Sequence, residues 1–187
     1  MFENRMNPFE NIHLLEKHGS AVIYTHRYNM ALNKFRSSLF KGKMLCLKSK
    51  VLYRGHALYD LEALKPDLHV RASCYSGIKV VPVRSIIGSE GRATDFDIEF
   101  HPVNEAGRER WVNVAIAYLS FLPLPPIQLI QIGDGYFVRD GHHRISVGRA
   151  FGQIAMDAEV ITWTASPPFP WQPDVYMPGE TLLAREP

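Results

Sequence analysis

Gly133 to Gly152 reads GDGYFVRDGHHRISVGRAFG, and its local chemistry sets out a turn, a strand and a helix in succession. Just before it, Ile127-Gln128-Leu129-Ile130-Gln131-Ile132 is an apolar run of strand length, and Tyr136-Phe137-Val138-Arg139 is another. Between the two, Asp134-Gly135 supplies the positive φ angles that a two-residue hairpin turn demands. Asp140 then stands as a favoured N-cap, and Gly141 lets the backbone come close to a ligand. Gly152 falls where a helix of about three turns needs a left-handed stop. His142, His143 and Arg144 thereby occupy the first turn of a predicted helix.

A helix start presents unpaired backbone N–H groups and the positive end of the macrodipole, so it favours an anion, and phosphate in particular. Arg144 is the expected phosphate fork, because a planar guanidinium matches two phosphate oxygens at once. The imidazoles of His142 and His143 titrate near neutrality and suit donation or proton carriage. Adjacent helix positions point about 100° apart, which makes the pair a poor chelate for one metal, and no resident metal is expected. The plainer reading of the same residues is a capped helix that packs Ile145, Gly148 and Phe151 on a sheet and leaves the histidines at the surface.

With its hairpin and its Asp-Gly-His-His-Arg letters at 140–144, the chain resembles the ParB/sulfiredoxin superfamily over residues 78–162. Members carry a Gly-rich box at a helix start that holds nucleotide phosphates. Sulfiredoxin has Gly-Cys-His-Arg there, partition proteins have Gly-Glu-Arg-Arg and a further Arg, and a branch that includes archaeal free-serine kinases has the form found here. The resemblance implies a small mixed sheet with packed helices, and a nucleotide (ATP, ADP or CTP) held by Asp140, Gly141, His142, His143 and Arg144. His142 stands where sulfiredoxin keeps its reactive cysteine, which excludes sulfinic-acid reduction by that route. Ser146 replaces the second downstream arginine of the partition proteins, which counts against a CTP-driven clamp.

Upstream, Gly88-Ser89-Glu90-Gly91-Arg92 sets a carboxylate between two glycines beside an arginine. Close approach to a substrate is sterically open there, so Glu90 is a candidate general base and Arg92 a candidate phosphate ligand. In the kinase branch a glutamate in a comparable region deprotonates the substrate hydroxyl, and Glu90 matches it by order and context. A solvated turn with a Glu90–Arg92 ion pair is the bland alternative. His143 is the second catalytic candidate. Asp95, Asp97 and Glu99 alternate with Phe96, Ile98 and Phe100, so an extended segment turns three carboxylates to one face, where they either meet Mg²⁺ or are merely solvated.

A net charge of +2 on 187 residues announces no polyanion binder, but its distribution is uneven: no acid lies between Glu16 and Asp60. From Ser20 to Lys41, Tyr24, Tyr28, Leu32, Phe35 and Leu39 follow the helical period, which predicts an amphipathic helix ended by Gly42. Its basic residues and their continuation, Arg27 to Arg54, suit non-specific nucleic acid; its aromatic face equally suits docking on the domain or on a second copy in a homodimer. A second helix is expected over Glu105–Phe121 and a sheet-closing strand over Ala155–Thr162. Residues 43–75 read as short strands or turns, and a short helix is expected over Asn11–His18. Ile78–Ile87 reads as a strand that Pro82 confines to an edge or a bulge.

The expected organisation is a basic helical extension (1–76), an α+β domain (77–162) and a Pro-rich tail (163–187). Cys46 and Cys74 form neither a C-x-x-C motif nor a disulfide framework, and no apolar run has membrane-spanning or signal-peptide character, so a cytoplasmic protein without membrane contact is expected. The functional expectation is binding of a nucleotide or other phosphorylated ligand at 140–144, extending to phosphoryl transfer or nucleotide hydrolysis. The alternatives are a non-specific DNA-associated protein and a non-catalytic self-associating scaffold.

Overall fold

The computed structural model describes residues 21–52 and 57–172. In chain order the elements are α1 (Ala21–Leu52), β1 (Tyr59–Asp60), α2 (Leu61–Leu64), β2 (Ala72–Pro82), β3 (Ile86–Ser89), α3 (Arg108–Leu119), β4 (Ile127–Ile132), β5 (Gly135–Asp140), α4 (His142–Ala150) and β6 (Ala155–Thr164). The strands make one mixed sheet in the order β1-β3-β5-β4-β6-β2, with helices packed on it, so the chain is α+β as expected.

Composition explains why β4 and β5 sit at the centre. Alternate residues point to opposite faces of a strand, and here both faces are apolar. Ile127, Leu129 and Val138 enter one core with Ile145 of α4; Ile130, Ile132 and Phe137 enter the other with Leu61 and Phe169. The hairpin forms as predicted but one residue out of the expected frame, with Ile132 opposite Gly135 and Gly133-Asp134 at the turn. Gly133 carries the positive φ of +58° at the first central position, as a type II′ turn requires. Asp-Gly was the stronger short-range signal, but Gly-Asp at 133–134 lets Tyr136 to Val138 pair in register with β4, before a one-residue shift that sets Asp140 opposite Gln128.

Strand β6 does not close the sheet; it lies between β4 and β2. The edge belongs to β2, which carries Pro82 and a bulge between Tyr75 and Ile78, the position that Pro82 called for.

The first helix overruns its expected end. It passes through Gly42 to Leu52, where strands or turns were expected. Gly42 is not a stop but a point of close approach, since a Cβ there would overlap the carbonyl oxygen of Pro102. The buried face of α1 sets Ala31, Phe35 and Leu39 against Trp111, Val114 and Ala115 of α3, with the Phe35 and Trp111 rings 5.5 Å apart. Segments assigned to the extension and the tail thus contribute to shared cores: β1 pairs with β3, and Phe169 and Trp171 stack on each other against Phe137 and Tyr59.

Among the described residues no helix is long and apolar enough to cross a membrane. Asn11–His18, Arg54 and the tail beyond Gln172 lie outside the described residues.

Candidate functional site

Gly141, not Asp140, occupies the N-cap of α4. Its φ is +101°, and no side chain caps the helix. An added Cβ would come within 2.6 Å of Ile127 Cγ2, so the glycine is required by its dihedral and by the core rather than by a ligand. Asp140 ends β5, and its carboxylate reaches forward four residues to the Arg144 guanidinium. The consequence is a helix start whose first amides keep no intrahelical acceptor and no side-chain cap.

Arg144 departs from its expected part. Nη1 donates to the carbonyl oxygens of Pro125 and Pro126, the latter at 2.9 Å, while Nη2 is bound to Asp140. These donors hold the β4 approach to the helix start. Burying a guanidinium's donors on backbone carbonyls is structural work, so the phosphate fork inferred from the letters is committed elsewhere.

Both histidines are buried, in contrast to the surface positions of the plainer reading. Phe96 explains this: His142 stacks on it with centroids 6.0 Å apart, and His143 meets its edge at 5.5 Å. His142 Nε2 lies 2.7 Å from the Ser89 hydroxyl, which in turn accepts the Arg92 amide, tying the β3 loop to the α4 start. His143 Nδ1 is buried and has no hydrogen-bond partner among the described residues. Gly107, the N-cap of α3, makes room for that ring, since a Cβ there would lie 2.5 Å from His143 Cε1. Burial first, and then the charges of Arg92 and Arg144 at His142 and of Arg110 and Arg92 at His143, pushes both imidazoles down to about 4. They are neutral at pH 7, not the groups titrating near neutrality that unperturbed rings would be.

Glu90 is brought to the same cleft but with both oxygens engaged. Oε2 accepts from Arg139 Nε at 2.8 Å and Oε1 from Lys65 Nζ at 3.1 Å. Partial burial by itself raises its pKa, and the bonds and charges of Arg139 and Lys65 outweigh that and lower it. A general base working near neutrality needs the opposite shift. The Glu90–Arg92 pair does not form: no hydrogen bond or ion pair engages the Arg92 side chain among the described residues.

The acidic stretch does not present one face. Asp97 folds the chain into a turn by accepting the amides of Glu99 and His101, with His101 Nδ1 at 3.0 Å, and it is buried. Such side-chain-to-backbone bonding overrides the alternation that suggested a strand. Glu99 pairs with Arg149, and Asp95 alone stays on the cleft. Among the described residues no group of three His, Cys, Asp or Glu side chains is placed to hold a metal ion.

Two cavities meet here. One, of about 480 Å³, is lined by Glu90, Arg92, Arg139 and residues 140–144. The other, of about 500 Å³, is lined by Phe35, Asp95, Phe96, Asn104, Glu109 and Asn113. Arg92, Arg110 and His143 border both. The sequence reading missed Arg110, which sits in the run Arg108-Glu109-Arg110 and looked like ordinary helix-start charge. Ser89, Lys65 and Arg139 were missed as well, since only the parallel pairings of β3 with β5 and of β1 with β3 bring them together.

No protein-family model matches the sequence, and a search of curated proteins finds no match either. Among solved structures, sulfiredoxin from Arabidopsis thaliana is similar at 16% identity and a TM-score of 0.35, over 46% of this chain and 86% of that one. So low a score carries no argument about substrate or activity.

Proposed function

We propose that this protein binds a phosphorylated small molecule, a nucleotide in the first instance, with the phosphates over the start of α4 and against Arg92 and Arg110. The observation that carries the reading is a pair of arginines that no carboxylate of the cleft, Asp95 and Glu109 included, engages in an ion pair among the described residues. Glu90 is matched by Arg139 and Lys65, and Asp140 by Arg144. Arg92 and Arg110 line both cavities, and among the described residues neither has a carboxylate within salt-bridge distance.

Other features support the same reading. The uncapped amides of α4 add donors on the axis where anions are favoured. Cavities of 480 and 500 Å³ fall in the size range of small-molecule sites, and together they offer one space for phosphates and one for the remainder of the ligand. The unpartnered His143 Nδ1 is a buried polar atom whose cost a ligand or an ordered water would relieve. Asp95, which lines the second cavity, is the carboxylate we assign to Mg²⁺ carried in by a nucleotide.

Turnover is assigned to neither Glu90, held ionised by two cations, nor His143, whose low basicity makes it a weak proton acceptor. Thermal shift with ATP, ADP, CTP and inorganic phosphate, each with and without Mg²⁺, tests the reading. We expect a rise in Tm with at least one nucleotide that is absent in Arg92→Ala and Arg110→Ala. Failure of every ligand to move the wild-type melt would sink it.

A further inference from the structure

Helix α1 carries a second apolar stripe that stays exposed among the described residues. Opposite the face docked on α3, Ile23, Met30, Phe40, Met44 and Leu47 are all exposed, Phe40 by 66% and Leu47 by 57%. They fall on two interleaved seven-residue rows, 23-30-37-44 and 26-33-40-47, and every residue of both rows is exposed. That spacing is the a/d seam of a coiled coil, written over nearly four heptads with His26, Asn33 and Ser37 as its polar members.

The residues flanking the seam carry one sign. In this frame the e positions are Arg27, Lys34, Lys41 and Lys48, and the g positions include Arg36 and Lys43. No acidic residue interrupts α1. The e and g charges of a coiled coil select its partner.

We propose that this outer face of α1 is a docking seam for an acidic amphipathic helix of another protein. A second copy is a poor occupant, because two such helices would set Lys and Arg against Lys and Arg along both edges. Nucleic acid matches the charge but offers nothing to cover Phe40, Met44 and Leu47. A helix with apolar a and d residues and Glu or Asp at e and g satisfies both features at once. Asn33 and Ser37 in the seam fix its register, as buried polar seam residues do.

Fluorescence anisotropy of the full chain with a labelled peptide of roughly four heptads, Leu at a and d and Glu at every e and g, tests this directly. The peptide's own like charges keep it from self-association. We expect saturable binding that weakens with salt, and no binding of the version with Lys at e and g. The double variant Phe40→Ser/Leu47→Ser and the double variant Lys41→Glu/Lys48→Glu each weaken it by about tenfold or more. Because all four positions are exposed, an unchanged melting curve verifies that the fold survives. Absence of binding, equal binding of both peptides, or binding indifferent to the seam variants overturns the proposal. So does a dimer, an association with phosphatidylserine vesicles or a duplex DNA complex that the seam variants abolish while peptide binding is absent.

Discussion

His142 and His143 show how far tertiary contact redirects a side chain. Both rings are packed on Phe96 and held neutral, with values of about 4 against an ordinary 6.5. The unfolded chain therefore takes up protons between pH 6.5 and 4 that the folded chain refuses. By linkage, stability from this source is complete above pH 6.5 and falls as pH drops toward 4, on the order of 1 kcal/mol per pH unit for each ring. Urea denaturation at pH 7.5, 6 and 5 should show that decline, and a His142→Gln/His143→Gln double variant should flatten it. Arg92 and Arg144 divide the work of the cleft. We expect Arg92→Ala to leave the ligand-free Tm nearly unchanged while removing ligand stabilisation. Arg144→Ala strips the Pro125 and Pro126 carbonyls of their donor and should cost about 1–3 kcal/mol without ligand, read by the same denaturation.

Elements dock through contacts that local propensity does not register. Within a helix, Gly→Ala ordinarily stabilises by about 1 kcal/mol. At Gly42 the sign reverses, because the new methyl group would meet the Pro102 carbonyl. We expect Gly42→Ala to lower the denaturation midpoint. Helices α3 and α4 are joined by Trp111 Nε1, which donates to Ser146 Oγ at 2.8 Å inside the core. Ser146→Ala leaves that indole N–H buried without an acceptor and should cost about 1–3 kcal/mol, whereas the same change at exposed Ser37 should be silent. This also gives Ser146 a reason to be small and polar that has nothing to do with a phosphate.

Across the whole molecule, α1 behaves as part of the fold. Phe35 is fully buried against Trp111 and borders the second cavity. Truncating Phe35 to Ala should cost about 3–5 kcal/mol and should also weaken any ligand held there. A chain beginning at Ala57 would expose Trp111, Val114 and Ala115 to water, and we expect it to aggregate or to lose its cooperative melt.

The order of strand, turn, strand and helix from Ile127 to Gly152 was legible because each piece rests on neighbours a few residues away. An apolar run makes a strand, a glycine with positive φ makes a turn, and Gly152, at +84°, makes a stop. The edge placement of β2 was legible from Pro82 for the same reason. Identities at 140–144 located the cleft but not the job of each side chain. Whether Arg144 meets a phosphate or a carbonyl, whether a histidine is wet or buried, and whether Gly42 ends a helix or admits a loop depend on residues that lie far away in sequence. Phe96, Pro102, Pro125 and Ile127 settle those questions through close packing, which side-chain periodicity along a single segment does not encode.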